Sequence, residues 1–332
     1  MSSDPNIDGV LIQWGERLFY PSNRIVKSNM PRLRTPQQRA AMIRTRIEDT
    51  VRRAPQVMVK VTGGGRGMAA IAAHFRYISQ NGRLDIEDDR GAIERGKDAR
   101  HGIERQWQFG GAYIGQEGQR REAFNIMLSM PRGTAAVTLQ KAAREFAKIE
   151  FPDHRYMMVL HTHQANPHVH LSVKAESKRG KRLNPRKADL HRWRETFAEQ
   201  LRERGVEAEA TRQATRGEIR SRTNLWQINA KREGRLHTSQ PQNRAGKAAM
   251  GNRKEALNAW IQIARALEGS NVGADRELAK QIVGFLRSTP VMQLAKPSPQ
   301  QAQRPGIEQD RNSRQRQLPI VERSRPGPDW ER

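Results

Sequence analysis

Apolar positions change period along the chain, and the changes mark its elements. Over 56–62, Val57, Val59 and Val61 alternate with Met58 and Lys60, as in a half-buried strand. Four glycines cluster at 63–67, and a helix is predicted over 68–80, stopped by Asn81-Gly82. A strand is predicted over 123–130, then a helix over 134–149 with Thr134 as its cap. Strands over 156–160 and 169–173 flank the turn signal Asn166-Pro167 and read as a hairpin. A long helix follows over 186–204, with Leu190, Trp193, Phe197 and Leu201 on one face. Paired strands alternating with helices predict an α+β domain over 56–222, an antiparallel sheet backed by helices.

The flanking segments read differently. Residues 1–55 form a polar, basic extension with one predicted helix over 36–53. Its Pro36 suits a first turn, and Ile43, Ile47 and Val51 share a face. Arg39, Arg44, Arg46, Arg52 and Arg53 are left for an exposed face, read either as solvated or as a DNA-contacting arm. Residues 85–118 are charged and glycine-rich, and read as a mobile insertion or a lid. Residues 223–288 hold two amphipathic helices. The apolar side of the first is Ala256, Leu257, Trp260, Ile261, Ile263 and Leu267; that of the second is Ile282, Val283 and Leu286. Residues 289–332 are rich in Pro, Gln, Arg and Ser and are expected to be disordered.

Charge changes this picture most. The net charge is +25, which calls for a polyanionic partner, nucleic acid before an anionic membrane surface. No apolar run is long enough to span a bilayer, so no membrane insertion is expected. There is no cysteine, which excludes disulfides and thiolate metal sites and fits a reducing cytoplasm. Aromatics are only 5% of the chain, so the core must be modest.

Candidate chemistry concentrates in the hairpin. His161, His163, His168 and His170 fall within ten positions, spaced His-x-His on either side of the turn. A lone histidine is more often packing than ligand, but this spacing is harder to dismiss. Residues two apart in a strand share a face, so His168 and His170 project together. Antiparallel pairing brings His161 or His163 opposite them, and three converging imidazoles make a divalent-metal site. All-imidazole ligation suits Mn, Zn, Ni or Co over Ca. The glycines at 63–67 before a helix could hold a phosphate or simply make a tight turn. Tyr77 sits near the end of that helix, with Arg76, Arg83 and His74 expected as cationic neighbours. Taken alone, it would more often be a packing tyrosine.

Four segments together resemble the plasmid relaxases, mobilisation endonucleases with an HUH-type site, and among them the T-DNA border endonucleases of tumour-inducing plasmids. Gln56 to Val61 with Gly63-Gly64-Gly65 looks like the first strand and glycine turn of that family. Phe75-Arg76-Tyr77-Ile78-Ser79-Gln80-Asn81-Gly82 looks like the nucleophile motif, with Tyr77 as the attacking residue. Ser129-Met130-Pro131-Arg132-Gly133-Thr134 looks like the second motif, whose serine holds DNA near the nick. The histidine stretch looks like the third, with His161, His168 and His170 at the metal positions. His163 stands where that motif has an acidic residue, and Lys174 where an asparagine often follows. The likeness extends to the helix at 189–204 and the segment at 211–217.

The resemblance implies an RRM-like palm and strand-specific nicking of a plasmid or border origin. Tyr77 would attack phosphorus to leave a 5′-phosphotyrosine, for conjugative transfer. It implies Mg or Mn as the ion, with Zn, Ni or Co left open. Ser129, Arg66, Arg76 and Lys174 are the expected DNA contacts, and His163 is an expected catalytic group. Single-stranded origin DNA, relaxosome accessory proteins and a type IV secretion coupling protein are the implied partners. Residence in a bacterial cytoplasm is expected, with export alongside DNA. Two alternatives remain: a rolling-circle replication initiator with the same chemistry, and a non-catalytic DNA-binding mobilisation accessory protein. A zinc hydrolase unrelated to DNA fits less well, given the charge and the lack of a glutamate base.

Overall fold

The structure is a computed structural model that describes residues 6–20, 35–219, 233–234 and 247–294. Most of the tail expected to be disordered lies outside the described residues. Among them no helix is long and apolar enough to cross a membrane.

Six strands form one antiparallel sheet in the order β1-β4-β6-β5-β2-β3. They are β1 (Met58–Gly63), β2 (Ile86–Asp88), β3 (Ile93–Glu94), β4 (Ala123–Ser129), β5 (Tyr156–His161) and β6 (His168–Lys174). Alternation along β6 assigns the two faces. Val169, Leu171 and Val173 join Ile126, Leu128 and Met158 in one apolar layer. Two helices cover it, α5 (Ala136–Glu150) and α6 (Lys187–Arg202), through Phe146, Trp193, Phe197 and Leu201. His168, His170 and Ser172 point to the other face. There α3 (Met68–Ile78) and α4 (Lys97–Phe109) cover Met157 and Val159 with Ile71, Phe75, Ile78 and Trp107.

Several expectations are corrected. The segment 85–118 is no loose lid: it contributes β2, β3 and α4, and Ile103 and Trp107 anchor it in the core. Its alternation of charges hid a helix whose apolar stripe is narrow. Thr134 does not cap α5; its hydroxyl donates to the Pro131 carbonyl, and Ala135 takes the cap position without a side-chain bond. The glycine turn is not a phosphate cradle. The first amides of α3 already donate to protein, Met68 to the Gly115 carbonyl (2.9 Å) and Ala69 to the Gln116 carbonyl (3.1 Å). The glycines are there for close packing: a Cβ on Gly64 would fall 2.2 Å from the Ala123 oxygen.

Helices of the N-terminal extension and of the 247–287 region form a separate helical core. The N-terminal extension has two described helices, α1 (Ile7–Phe19) and α2 (Pro36–Val51). They pack on α7 (Lys247–Glu268) and α8 (Gly273–Arg287) through Leu11, Leu18, Ile43, Ile47, Trp260, Ile263 and Ile282. Ile261 and Val283, expected to be inward, lie on the outside. The arginines of α2 do not form a DNA-contacting face. Arg46 is buried against Glu195 (2.8 Å) and Glu209 (3.3 Å). Arg39 pairs with Glu16, Arg44 with Asp8 and Asp275, and Arg52 with Asp49, while Arg53 donates to Ser288. A buried cation needs such partners, and these charges bind α2 to its neighbours.

Candidate metal centre and nucleophile

The end of the β5–β6 hairpin assembles the site. His161 lies directly across from His168, and His168 from Ser129 on β4. A directly opposed pair brings side chains to the closest cross-strand distance. His161, His168 and His170 each offer one ring nitrogen, and these atoms lie within 4.8 Å of one another. Ring centroids stand 5.1 Å apart for His161–His168, 4.5 Å for His161–His170 and 5.0 Å for His168–His170.

Backbone carbonyls orient two of the rings. His161 Nε2 lies 2.6 Å from the Ile78 carbonyl and His168 Nδ1 3.0 Å from the Asn166 carbonyl. A carbonyl only accepts, so each of these nitrogens carries the proton. The other nitrogen of each ring is then a lone-pair donor, the arrangement that holds a metal-binding imidazole in one tautomer. Charge favours the same state. Burial pushes the His161 imidazole below its ordinary pKa, and burial with the neighbouring imidazoles takes His170 down to about 3. Neutral, converging imidazoles fit a divalent cation.

Tyr77 stands beside this triad. The Ile78 carbonyl that receives His161 is the next residue along, so one hydrogen bond fixes the end of α3 against the metal site. The Tyr77 ring centroid is 6.5 Å from that of His170, and the side chain is 69% exposed, open to an incoming strand. Beyond it, Gln80, Asn81 and Gly82 all take positive φ and turn the chain sharply away. His163 is outside the triad: its ring is 5.0 Å from His161, and Gln80 Nε2 lies 3.4 Å from its Nδ1. Arg66 and Arg76 are exposed and have no ion-pair partner among the described residues.

Two expected DNA contacts are turned inward. Lys174 is 3% exposed, and its ammonium donates to the carbonyls of Trp107 (2.9 Å), Gly110 (3.1 Å) and Ala112 (3.3 Å). All three N–H groups are spent on the end of α4 and the turn after it, so the ammonium is not free for a phosphate. Ser129 is 3% exposed, and its hydroxyl donates to the Pro167 carbonyl (3.0 Å), holding the hairpin turn. His74 was underestimated. Its ring is 6.4 Å from Tyr77 and 6.3 Å from His170, and its buried Nε2 has no hydrogen-bond partner among the described residues. Burial lowers its pKa, so it is a neutral neighbour rather than the cation expected. The i, i+3 spacing of His74 and Tyr77 on a predicted helix was the available signal.

The family model that matches is described as "Relaxase: MobA/VirD2-like, nuclease domain", over residues 82–206. This supports a relaxase nuclease, and the matched span contains Ser129 and all three triad histidines but begins after Tyr77. A solved chain from work on the molecular basis of vancomycin resistance transfer in Staphylococcus aureus covers 48% of this chain and 99% of its own. It is 15% identical, with a TM-score of 0.30. No curated protein matches the chain.

Proposed function

We propose that this protein is a metal-dependent DNA relaxase that nicks one strand of a plasmid or border transfer origin by transesterification through Tyr77. The observation that carries the reading is the seating of Tyr77 beside the histidine triad, fixed by the bond from His161 to the Ile78 carbonyl. The phenolic oxygen forms a bond to phosphorus as the P–O3′ bond breaks. The phenol gives up its proton and the departing 3′-oxygen takes one, leaving a 5′-phosphotyrosine and a 3′-OH. His163, exposed and standing where the motif usually carries an acid, would receive the phenol's proton. A divalent ion held by His161, His168 and His170 would supply positive charge to the phosphate oxygens. Mg or Mn follows from the family likeness, and Zn, Ni or Co suit the donor set equally.

Arg66, just before α3, and Arg76, on its exposed face, would meet the phosphates of the incoming strand. Relaxosome accessory proteins, a type IV coupling protein, the bacterial cytoplasm and the likeness to the border endonucleases rest on the motifs alone. So do the limits set at 55, 222 and 288 between extension, nuclease, helical region and tail.

Denaturing electrophoresis with a labelled origin strand and manganese tests the reading. Wild-type protein should shift the label covalently. Tyr77→Phe should still bind the strand but form no adduct, a loss of at least about a thousandfold in a step with no other nucleophile. Supercoiled origin DNA left intact by the wild-type protein would instead favour a non-catalytic accessory protein.

A further inference from the structure

A cleft of about 430 Å³ opens where the start of β1 meets α6, the 211–216 segment and α7. Arg194, Arg212, Arg216 and Arg253 all line it, with His191 and Glu218. Their charges are unequally answered. Arg216 pairs with Glu218 (2.9 Å) and donates to Gln56, so it is part of the wall. Arg212 donates to the carbonyls of Arg17 and Leu18, yet its buried Nε has no hydrogen-bond partner among the described residues. Arg194 has no hydrogen-bond or salt-bridge partner among the described residues. The acids facing this pair are Glu195, already bound to Arg46, and Glu255. Burial still pushes both guanidinium groups below their ordinary pKa. A half-buried cation whose facing acid is already bound to another arginine, as Arg194 is, marks a place for an anion.

The sheet register says which anion. Met58, Ser129, His168 and His161 lie in one row across β1, β4, β6 and β5. Strand spacing puts Met58 about 14 Å from His161 along that row. Gln56 and Val57, which border the cleft, lie just beyond Met58. The cleft is therefore at the same end of the sheet as the histidine triad, on the α6 side rather than the face that carries the rings, so one strand would reach both by passing around that end.

We infer that this arginine cleft binds a backbone phosphate of the single strand whose scissile phosphate sits at the triad, with Arg194 as the contact. The choice of strand rests on the nicking reading, whereas the phosphate chemistry does not. A cleft that holds the strand away from the nick would keep the cleaved ends from separating.

Salt-dependent binding of a labelled random-sequence single strand to the full-length Tyr77→Phe protein provides the test. Cleavage is absent there, so failure of the nicking reading leaves this readout intact. Arg194→Gln removes one charge and no hydrogen bond, and its thermal midpoint should equal the parent's. Its log K against log salt should flatten by about 0.7, with affinity about tenfold lower near 0.1 M salt. Arg179→Gln removes the same charge from an exposed site paired with Asp153, and should leave the slope unchanged. Equal effects of the two substitutions, or none from either, would overturn the inference. So would a DNA slope unchanged in Arg194→Gln alongside loss of a stabilisation of the protein by millimolar inorganic phosphate, which would mark a small-anion site. Loss of polyglutamate binding with DNA binding intact would mark an acidic protein partner and overturn it equally.

Discussion

The two faces of the sheet use the same strands for opposite purposes. On one, Val169, Leu171 and Val173 of β6 are buried under α5 and α6 with no polar demand to meet. On the other, His168, His170, Ser172 and Lys174 alternate with them, and most of their polar atoms meet a specific partner. Ser172 donates to Asn125 (3.1 Å), Lys174 to three carbonyls, and His168 to Asn166. The first face holds the sheet together by area removed from water. The second holds ring nitrogens in one orientation, which burial alone cannot do, because hydrophobic packing has no direction. His74 Nε2 is the exception, a buried nitrogen beside Tyr77 without a partner among the described residues, and a group of this kind calls for an explanation such as a catalytic role or a bound ion.

A pair of truncations one residue apart breaks the comparison most sharply. Leu171→Ala removes a fully buried side chain and should cost about 2–5 kcal/mol. The protein that remains folded should bind Mn as before. His170→Ala, on the other face, should lower stability much less and abolish Mn binding, seen by calorimetry. Similar stability losses in both variants, with metal binding kept in both, would mean that the faces are not divided in this way.

The division of labour was half visible in the sequence. Four of the strands are legible to within two residues, β1 from its period-two alternation and β4, β5 and β6 from short apolar runs bounded by turn signals. The triad was visible because His-x-His spacing in a strand can only place both rings on one face. What the sequence hid is long-range. Nothing local to α2 shows that Arg46 will meet Glu195 and Glu209, more than a hundred positions away, so its arginines read as a free face. Lys174 misled for the same reason: a lysine in a DNA-binding protein suggests a phosphate, but its partners are three carbonyls at the end of α4 and in the turn that follows. By sequence the glycine turn is open between a phosphate loop and a tight turn, and the Gly115 and Gln116 carbonyls, which take the first amides of α3, decide for the turn.

Lys174 sharpens the contrast at a smaller scale. Lys174→Met keeps the volume but leaves three carbonyls without a donor. Stability should fall by about 1–3 kcal/mol, read by denaturant unfolding. DNA affinity and its salt dependence should not change, since the ammonium faces inward. A salt slope lower by about 0.7 would restore the phosphate contact and remove the reading of this lysine as a structural pin.

The smallest effect is on pH, and it separates the faces by the shape of a curve. Without metal, His170 has a folded pKa of about 3, against about 6.5 when unfolded, and His161 and His74 are lowered by burial. Between those values the unfolded chain binds more protons than the folded one, so stability must fall as pH drops below about 6.5. Above it, both states are neutral and these groups add no slope. Thermal midpoints in EDTA should therefore be level from pH 8 to 7 and decline from 6.5 to 5, before ordinary carboxylates titrate. His170→Gln should make that decline shallower. Leu171→Ala should lower the whole curve without changing its slope, because nothing on the apolar face takes up a proton. An unchanged slope in His170→Gln would show that the imidazole is not held neutral by the fold, and the readiness of the triad for a cation would then need another source.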